Sequence, residues 1–453
     1  MLSSRLSERQ PHLKRELGLR DITLYAIACM VGTRWITAAA HAGTGSILLW
    51  LLAALFTVIP VAIATASLTL KHPQAGGIYI WTRGDFGPWH GFLAFWTYWM
   101  GIAFWFPSAA MFYMSIAIAM AGPKYERLAG NRTWLVVASL AAIWIALGTN
   151  LVGVKVGKWT ENAGALAAWI LAALLITAAW MIGVKRGAAT SFHWMPDFTW
   201  DTMSLLGTVA YGMTGFEALG LMGGEIRHVK RDMPRAAWLS SIFVTLFYAG
   251  STMALLVILR PANISELNGL SEVGMAAGQL LSARWLAPLI ALLVLASAIG
   301  QFGGLGSAVS RMPFAASVDH LLPAAFGKIH PRWCTPYVSI LMFGVLSSVL
   351  LVGSQFGDTA RAAYQVLVSL MVIAGFLPYL YMFGSSWRAG NRVSSLAGWL
   401  LTALAILSSV VPSAEVHNIW LFEFKVAAGT IAVIVSAWLV YRNAAVPHEA
   451  LRR

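Results

Sequence analysis

An arginine and a glutamate stand inside apolar runs of this 453-residue chain, Arg34 within 22–45 and Glu217 within 203–222. A charge at the middle of a membrane helix costs at least about 2.5 to 3.5 kcal/mol on insertion scales, so each must face a cavity and hold a partner. Both lie at breaks in helix-forming sequence: Gly32-Thr33-Arg34 in the first run and Gly212-Met213-Thr214-Gly215 in the sixth. A broken helix exposes N–H groups at the start of one half and C=O groups at the end of the other. The N–H groups around Gly32 and Thr33 suit a carboxylate, and the C=O groups of both breaks suit an ammonium. The two breaks are therefore equipped to bind a small amino-acid-like solute whose charges would otherwise lack partners in a low-dielectric site.

Three roles are open to Arg34. Its guanidinium binds an acidic group of the solute bidentately, or it is locked to Glu217 and ties the two broken helices together, or it stands in for a coupling cation. Glu217, about one turn past its break, either takes up and releases a proton during a cycle or is the structural partner of Arg34. Tyr211, Met213 and Phe216 flank the second break and are candidates to shape a side-chain pocket, with packing as their default role. Trp96, Trp99 and Phe104 of the third run are candidates to complete it. The Thr33 hydroxyl bonds either the solute or its own i−4 carbonyl. His41, at the end of the first run, reads as a capping or interfacial residue.

The elements that position these residues must live in lipid. The chain is 58% hydrophobic and 11% charged, with a mean hydropathy of +0.71, which does not fit a water-facing surface. Continuous rather than alternating apolar runs favour helices over a barrel. Reading runs between polar breaks predicts an all-α membrane protein of about twelve transmembrane helices, at 22–45, 46–70, 89–121, 134–151, 160–184, 203–222, 236–259, 276–312, 336–354, 362–386, 394–412 and 418–441. Trp81, Trp89, Trp134, Trp194, Trp200 and Trp420 fall at run ends as interfacial anchors.

The net charge of +13 raises nucleic acid as a partner, but the basic residues are spread over loops instead of concentrated on one face. They instead set orientation: 21 of the 31 Lys and Arg fall in segments that twelve alternating helices place on the side of the N-terminus, and nine on the other. That asymmetry predicts a multi-pass protein of the cell inner (plasma) membrane with both termini cytoplasmic. The polar, basic residues 1–21 form a cytoplasmic leader rather than a signal peptide. Cys29 and Cys334 are too few for a disulfide framework. The sequence contains no HExxH, CxxC or P-loop pattern, so the reading carries no enzymatic centre, metal or cofactor. The Gly303, Gly304 and Gly306 cluster reads as helix-packing or hinge material.

The broken runs, five elements apart, belong to a longer pattern. Pro73-Gln74-Ala75-Gly76-Gly77-Ile78-Tyr79 leads to Gly87-Pro88-Trp89-His90-Gly91-Phe92. Gly212 to Glu217 is followed by Glu225 and then Pro234-Arg235-Ala236. Ser310-Arg311, Asp319, Leu322-Pro323, His330-Pro331 and Thr335-Pro336 come after the eighth run. These segments, in this order, resemble the amino acid-polyamine-organocation superfamily of permeases. The resemblance implies a leucine-transporter-type fold: a 5+5 inverted repeat with discontinuous helices 1 and 6, plus two C-terminal helices. It divides the chain into the leader 1–21, repeats at 22–200 and 201–390, helices 11 and 12 within 391–441, and a tail 442–453. It gives the two break segments the same task of binding the solute, so the candidate substrate-binding set is Val31, Gly32, Thr33, Arg34, Tyr211, Gly212, Met213, Thr214, Gly215 and Phe216, with Glu217 and Arg34 as candidates for coupling on their own chemistry. Two positions depart from the family pattern: Arg34 replaces a glycine, and Ala168 stands where proton-coupled members carry a lysine.

The expected function is secondary active transport of amino acids or related small organic ions by alternating access, as symport or exchange. A guanidinium at the carboxylate end favours neutral or acidic solutes over cationic ones. The partners are the small-molecule substrate, protons and membrane lipid, with no nucleic acid. The alternatives are a membrane solute sensor that does not transport, and an exchanger of polyamines or cationic amino acids. An appended signalling domain would mark a sensor, and about 12 residues follow the last run.

Overall fold

The computed structural model describes residues 17–72, 76–121, 125–129, 131–152, 154–193, 195, 200–221, 226–266, 268–318, 321–333, 335–355, 360–412, 416 and 418–444. The leader residues 1–16, Pro73, Gln74, Ala75, Lys124, Trp194, Glu225, Asp319, Cys334 and the tail from 445 lie outside them. Among the described residues the chain is helical, and its extended pairing is one isolated parallel bridge between Leu17 and Ile226.

The first run is two helices, α1 (Leu19–Met30) and α2 (Arg34–His41), bent by 46° across Val31, Gly32 and Thr33. Next come α3 (Ser46–Lys71), α4 (Ile78–Phe86), α5 (Pro88–Ala121), α6 (Arg132–Leu151) and α7 (Val154–Arg186). In α3 the helix widens to a π turn at Ala54–Val58 just ahead of Pro60, which cannot donate to the i−4 carbonyl. The sixth run is again divided, into α8 (Trp200–Gly212) and the single turn α9 (Ala218–Leu221), with the break over 213–217. Then follow α10 (Val229–Ile258), α11 (Gly269–Leu280), α12 (Leu286–Val318), α13 (Tyr337–Ser354), α14 (Ala360–Arg388), α15 (Arg392–Ser408) and α16 (Ile419–Arg442).

Nine helices among the described residues are long and apolar enough to cross a membrane, and α1 with α2 makes a tenth. The divided sixth run and the 17-residue α15 account for the other two expected spans. Besides an earlier start of α7, at Val154 instead of 160, three stretches differ from expectation. The run expected at 276–312 is two helices, because the chain turns at 281–285, where Ser282 takes φ 56, and the spanning helix α12 extends to Val318. Leu280, Leu281, Trp285 and Leu286 keep the turn apolar, so hydropathy alone merged the pieces. Helix α10 starts seven residues before the expected 236: the charged Lys230, Arg231 and Asp232 occupy its first turn, and Pro234 lies inside the helix near its start, where it forgoes one i−4 hydrogen bond. Helix α4 was not expected at all, and Trp81 on it is buried against Gly220 rather than anchored at an interface.

Helices α5 and α14 form the centre, with 89% and 83% of their apolar windows buried, while α6 and α16 are peripheral at 22% and 17%. The α5–α14 and α7–α12 packings are the most extensive in the molecule. Each is a crossing of two glycines. A Cβ on Gly101 would stand 2.7 Å from Gly375 Cα, and one on Gly164 2.6 Å from Gly300 Cα, so the backbones touch.

Candidate functional site

The two breaks meet at a narrow cavity of about 30 Å³. Its walls are Cys29, Met30 and Trp35 from the first break, and Tyr211, Gly212, Thr214, Gly215 and Glu217 from the second. Helix α5 adds Tyr98, Ile102 and Trp105, α12 adds Gln301 and Leu305, and α14 adds Tyr379.

Gly215 has φ +124, a conformation that favours glycine, and a Cβ there would fall 2.9 Å from the Cys29 carbonyl oxygen. This residue lets the second break lie against the end of α1. The backbone groups expected to hold the solute are taken by a side chain of α10. The Tyr248 hydroxyl accepts from Gly32 N–H at 2.7 Å and has its single proton within reach of two acceptors, Met30 O at 2.8 Å and Gly212 O at 2.9 Å. Its ring stacks on Trp50 at 4.3 Å, and Trp50 Nε1 donates to Thr252 Oγ1. One hydroxyl thus joins both breaks to the helix behind them, and sequence reasoning missed it.

Glu217 is buried at 3% exposure, yet both carboxylate oxygens are satisfied. Oε2 accepts from Gly215 N–H and Oε1 from Tyr98 Oη, each at 2.8 Å, with Tyr379 alongside. Both oxygens of Glu217 are thus hydrogen-bonded on the cavity wall. Thr214 Oγ1 donates to Tyr211 O.

Arg34 is buried to 1% exposure. Nη1 donates to Ser108 Oγ at 2.6 Å, Nη2 reaches the sulfur of Met371 at 3.2 Å, and Nε has no hydrogen-bond partner. The guanidinium carbon lies 3.9 Å from the Trp35 ring centroid and 5.4 Å from that of Trp105. No carboxylate among the described residues pairs with it, so the fixed Arg34–Glu217 pair held open above is not formed in this structure. Arg34 stands behind the wall that Trp35 and Trp105 make, not on the cavity surface.

Of the expected site residues, Tyr211, Gly212, Thr214, Gly215 and Glu217 line the cavity. Val31, Gly32, Thr33, Met213 and Phe216 are buried beside it and do not. Thr33 Oγ1 makes no hydrogen bond, neither to an i−4 carbonyl nor elsewhere. On α5 the expected face was wrong. Trp96 bonds Ser436 and Trp99 packs on Phe343, whereas Tyr98, Ile102 and Trp105, spaced four and three apart, face the cavity. The Tyr98 hydroxyl lies on that face, but Thr97, Ser108, Tyr113 and Ser115 carry hydroxyls in the same run, so polarity alone does not single it out. His41 bonds the carbonyl of Ile264, tethering the end of α2. Gly304 packs on Cys29 Sγ.

Comparison with known proteins agrees with this architecture. An amino acid permease family model matches residues 17–444. An uncharacterized transporter of Legionella pneumophila is 24% identical, with 94% of this chain and 97% of its own covered. A branched-chain amino acid permease of Bacillus subtilis is 26% identical over 75% of this chain and 74% of its own. A probable agmatine/putrescine antiporter of Lactococcus lactis is 21% identical over 83% and 80%. With a helical membrane fold and a cavity at two helix breaks already evident, the match across nearly the whole chain has one meaning: the chain belongs to the amino acid permease family of membrane transporters.

Proposed function

We propose that the protein is a secondary active transporter of neutral or acidic amino acids, or of related small organic anions, working by alternating access around the cavity between the two breaks. The observation that carries this reading is Arg34: a fully buried guanidinium beside that cavity, with one N–H unbonded and no carboxylate partner among the described residues. A buried charge left without a counter-ion is costly, so the group that neutralises it is the carboxylate of the cargo. Glu217 takes the cargo's ammonium or a coupling proton. Exchange and symport both fit, and Ala168 supports the first, since the lysine of proton-coupled relatives is missing there. The glycine crossings support repeats at 22–200 and 201–390, because a shift of five helices exchanges α5–α14 with α12–α7. The chain sits in the inner membrane with both termini cytoplasmic.

The test is counterflow in liposomes holding the purified protein, with labelled L-glutamate, L-leucine, L-arginine and putrescine. Uptake of glutamate or leucine, with arginine and putrescine excluded, is the expected result. A second reading, an exchanger of polyamines or cationic amino acids, is favoured by Glu217 on the cavity wall while Arg34 stands behind it. Accumulation of arginine or putrescine alone decides for that reading.

A further inference from the structure

The glycines of the two breaks leave a gap, and the gap is filled. A Cβ on Gly32 would stand 2.6 Å from Trp35 Nε1, and one on Gly212 2.9 Å from Trp35 Cγ. The indole is therefore held between the breaks, in the place that broken helices otherwise offer to a solute. Trp35 is 3% exposed and lines the cavity, and the guanidinium of Arg34 packs against its ring. The remaining cavity, about 30 Å³, has room for about two waters and none for an amino acid. Arg34, which pairs with no carboxylate among the described residues, holds Ser108 Oγ and the Met371 sulfur with its terminal nitrogens and lies with its guanidinium carbon 3.9 Å from the centroid of the Trp35 ring, so the indole covers it where a counter-ion would otherwise stand. A desolvated carboxylate is the stronger partner for a guanidinium, because it accepts two parallel N–H bonds where a ring face offers none.

We propose that Trp35 is an internal gate that occupies the cargo site, and that a cargo carboxylate enters by displacing the indole from Arg34. The inference rests on the transporter reading above and adds the residue that sets the size of the cargo accepted. Moving the indole aside opens a space bounded by Trp105, Tyr211, Ile102 and Leu305, aromatic and aliphatic walls suited to an apolar side chain. Gate opening and carboxylate capture are then one event: the Trp35 ring leaves Arg34 as the cargo arrives.

Cys29 on the cavity wall supplies a readout that needs no substrate. In the full chain carrying Cys334→Ser, the rate of Cys29 alkylation by N-ethylmaleimide is measured for the unmodified site, Trp35→Ala, Trp35→Leu and Trp35→Phe, beside melting temperatures. The smaller side chains should raise the rate roughly tenfold or more, the shift expected when a rare open state becomes common, and phenylalanine should raise it less. In liposomes, Trp35→Ala should raise uptake of L-tryptophan relative to L-alanine by about tenfold, the range a hydrophobic pocket can discriminate. Should Trp35→Ala fail to fold, Trp35→Leu and Trp35→Phe carry the same test. Alkylation at the unmodified rate in the folded variants overturns the gate, and a lowered melting point with unchanged alkylation reduces Trp35 to core packing and overturns it too. Because alkylation is independent of cargo charge, its failure is distinguishable from a failure of the acidic-or-neutral preference.

Discussion

Arg34→Gly should weaken binding of acidic solutes by roughly 2 to 5 kcal/mol, the cost of removing one partner of a buried charge pair. Since Arg34 and Glu217 share no bond, Arg34→Gly combined with Glu217→Gln should melt with an effect additive to within about 0.5 kcal/mol. A large rescue in the double variant would falsify that independence. Tyr248→Phe keeps the stack on Trp50 but strands the Gly32 N–H and two carbonyls, so it should lower stability by about 1 to 3 kcal/mol in denaturation. If Glu217 carries the coupling proton, Glu217→Gln should abolish the response of uptake to a pH gradient while labelled exchange persists; unchanged pH dependence leaves it a fixed wall residue. At this scale the sequence was half legible. Arg34, Glu217 and the glycine breaks stand out by type, whereas Trp35 and Tyr248 do not, because a tryptophan or tyrosine in an apolar run gives no sign that it turns into a neighbouring break.

Among elements, the glycine crossings decide what the scaffold tolerates. Gly101→Leu or Gly300→Leu places a side chain against backbone with nowhere to move, and each should cost about 1 to 3 kcal/mol or more in thermal unfolding. Gly353→Ala, where nothing lies within 4 Å of the added Cβ, should change the melting point little. Equal melting of Gly101→Leu and Gly353→Ala would show that the crossings are looser than the geometry states. Helix spans were legible because a bilayer demands about 20 apolar residues, a requirement written directly in composition. The merging of α11 with α12 has the opposite cause: the turn between them keeps Leu281 and Trp285 although Trp285 is exposed, and hydropathy reports residue type, not the direction of the chain; α4 was missed because Arg83 and Asp85 interrupt its short apolar stretch.

For the whole molecule, the distribution of basic residues makes a claim about sides. With a cytoplasmic N-terminus, a cysteine introduced at Arg127 should react with an impermeant reagent added to whole cells, and one at Lys230 should not; both positions are exposed. Labelling at 230 alone reverses the orientation. The bridge between Leu17 and Ile226 has a bearing on how motion could be watched. Arg227 N–H donates to Leu17 O at 3.0 Å, so the start of the first span is fastened to the chain just beyond the sixth. The two strands of polypeptide that carry the breaks are therefore coupled at their ends as well as at the cavity, and a displacement of one half-helix must pull on the other. A spectroscopic label near residue 17 would then act as a remote pointer, its position relative to a label on the peripheral α16 registering rearrangement at the breaks without any probe in the cavity itself.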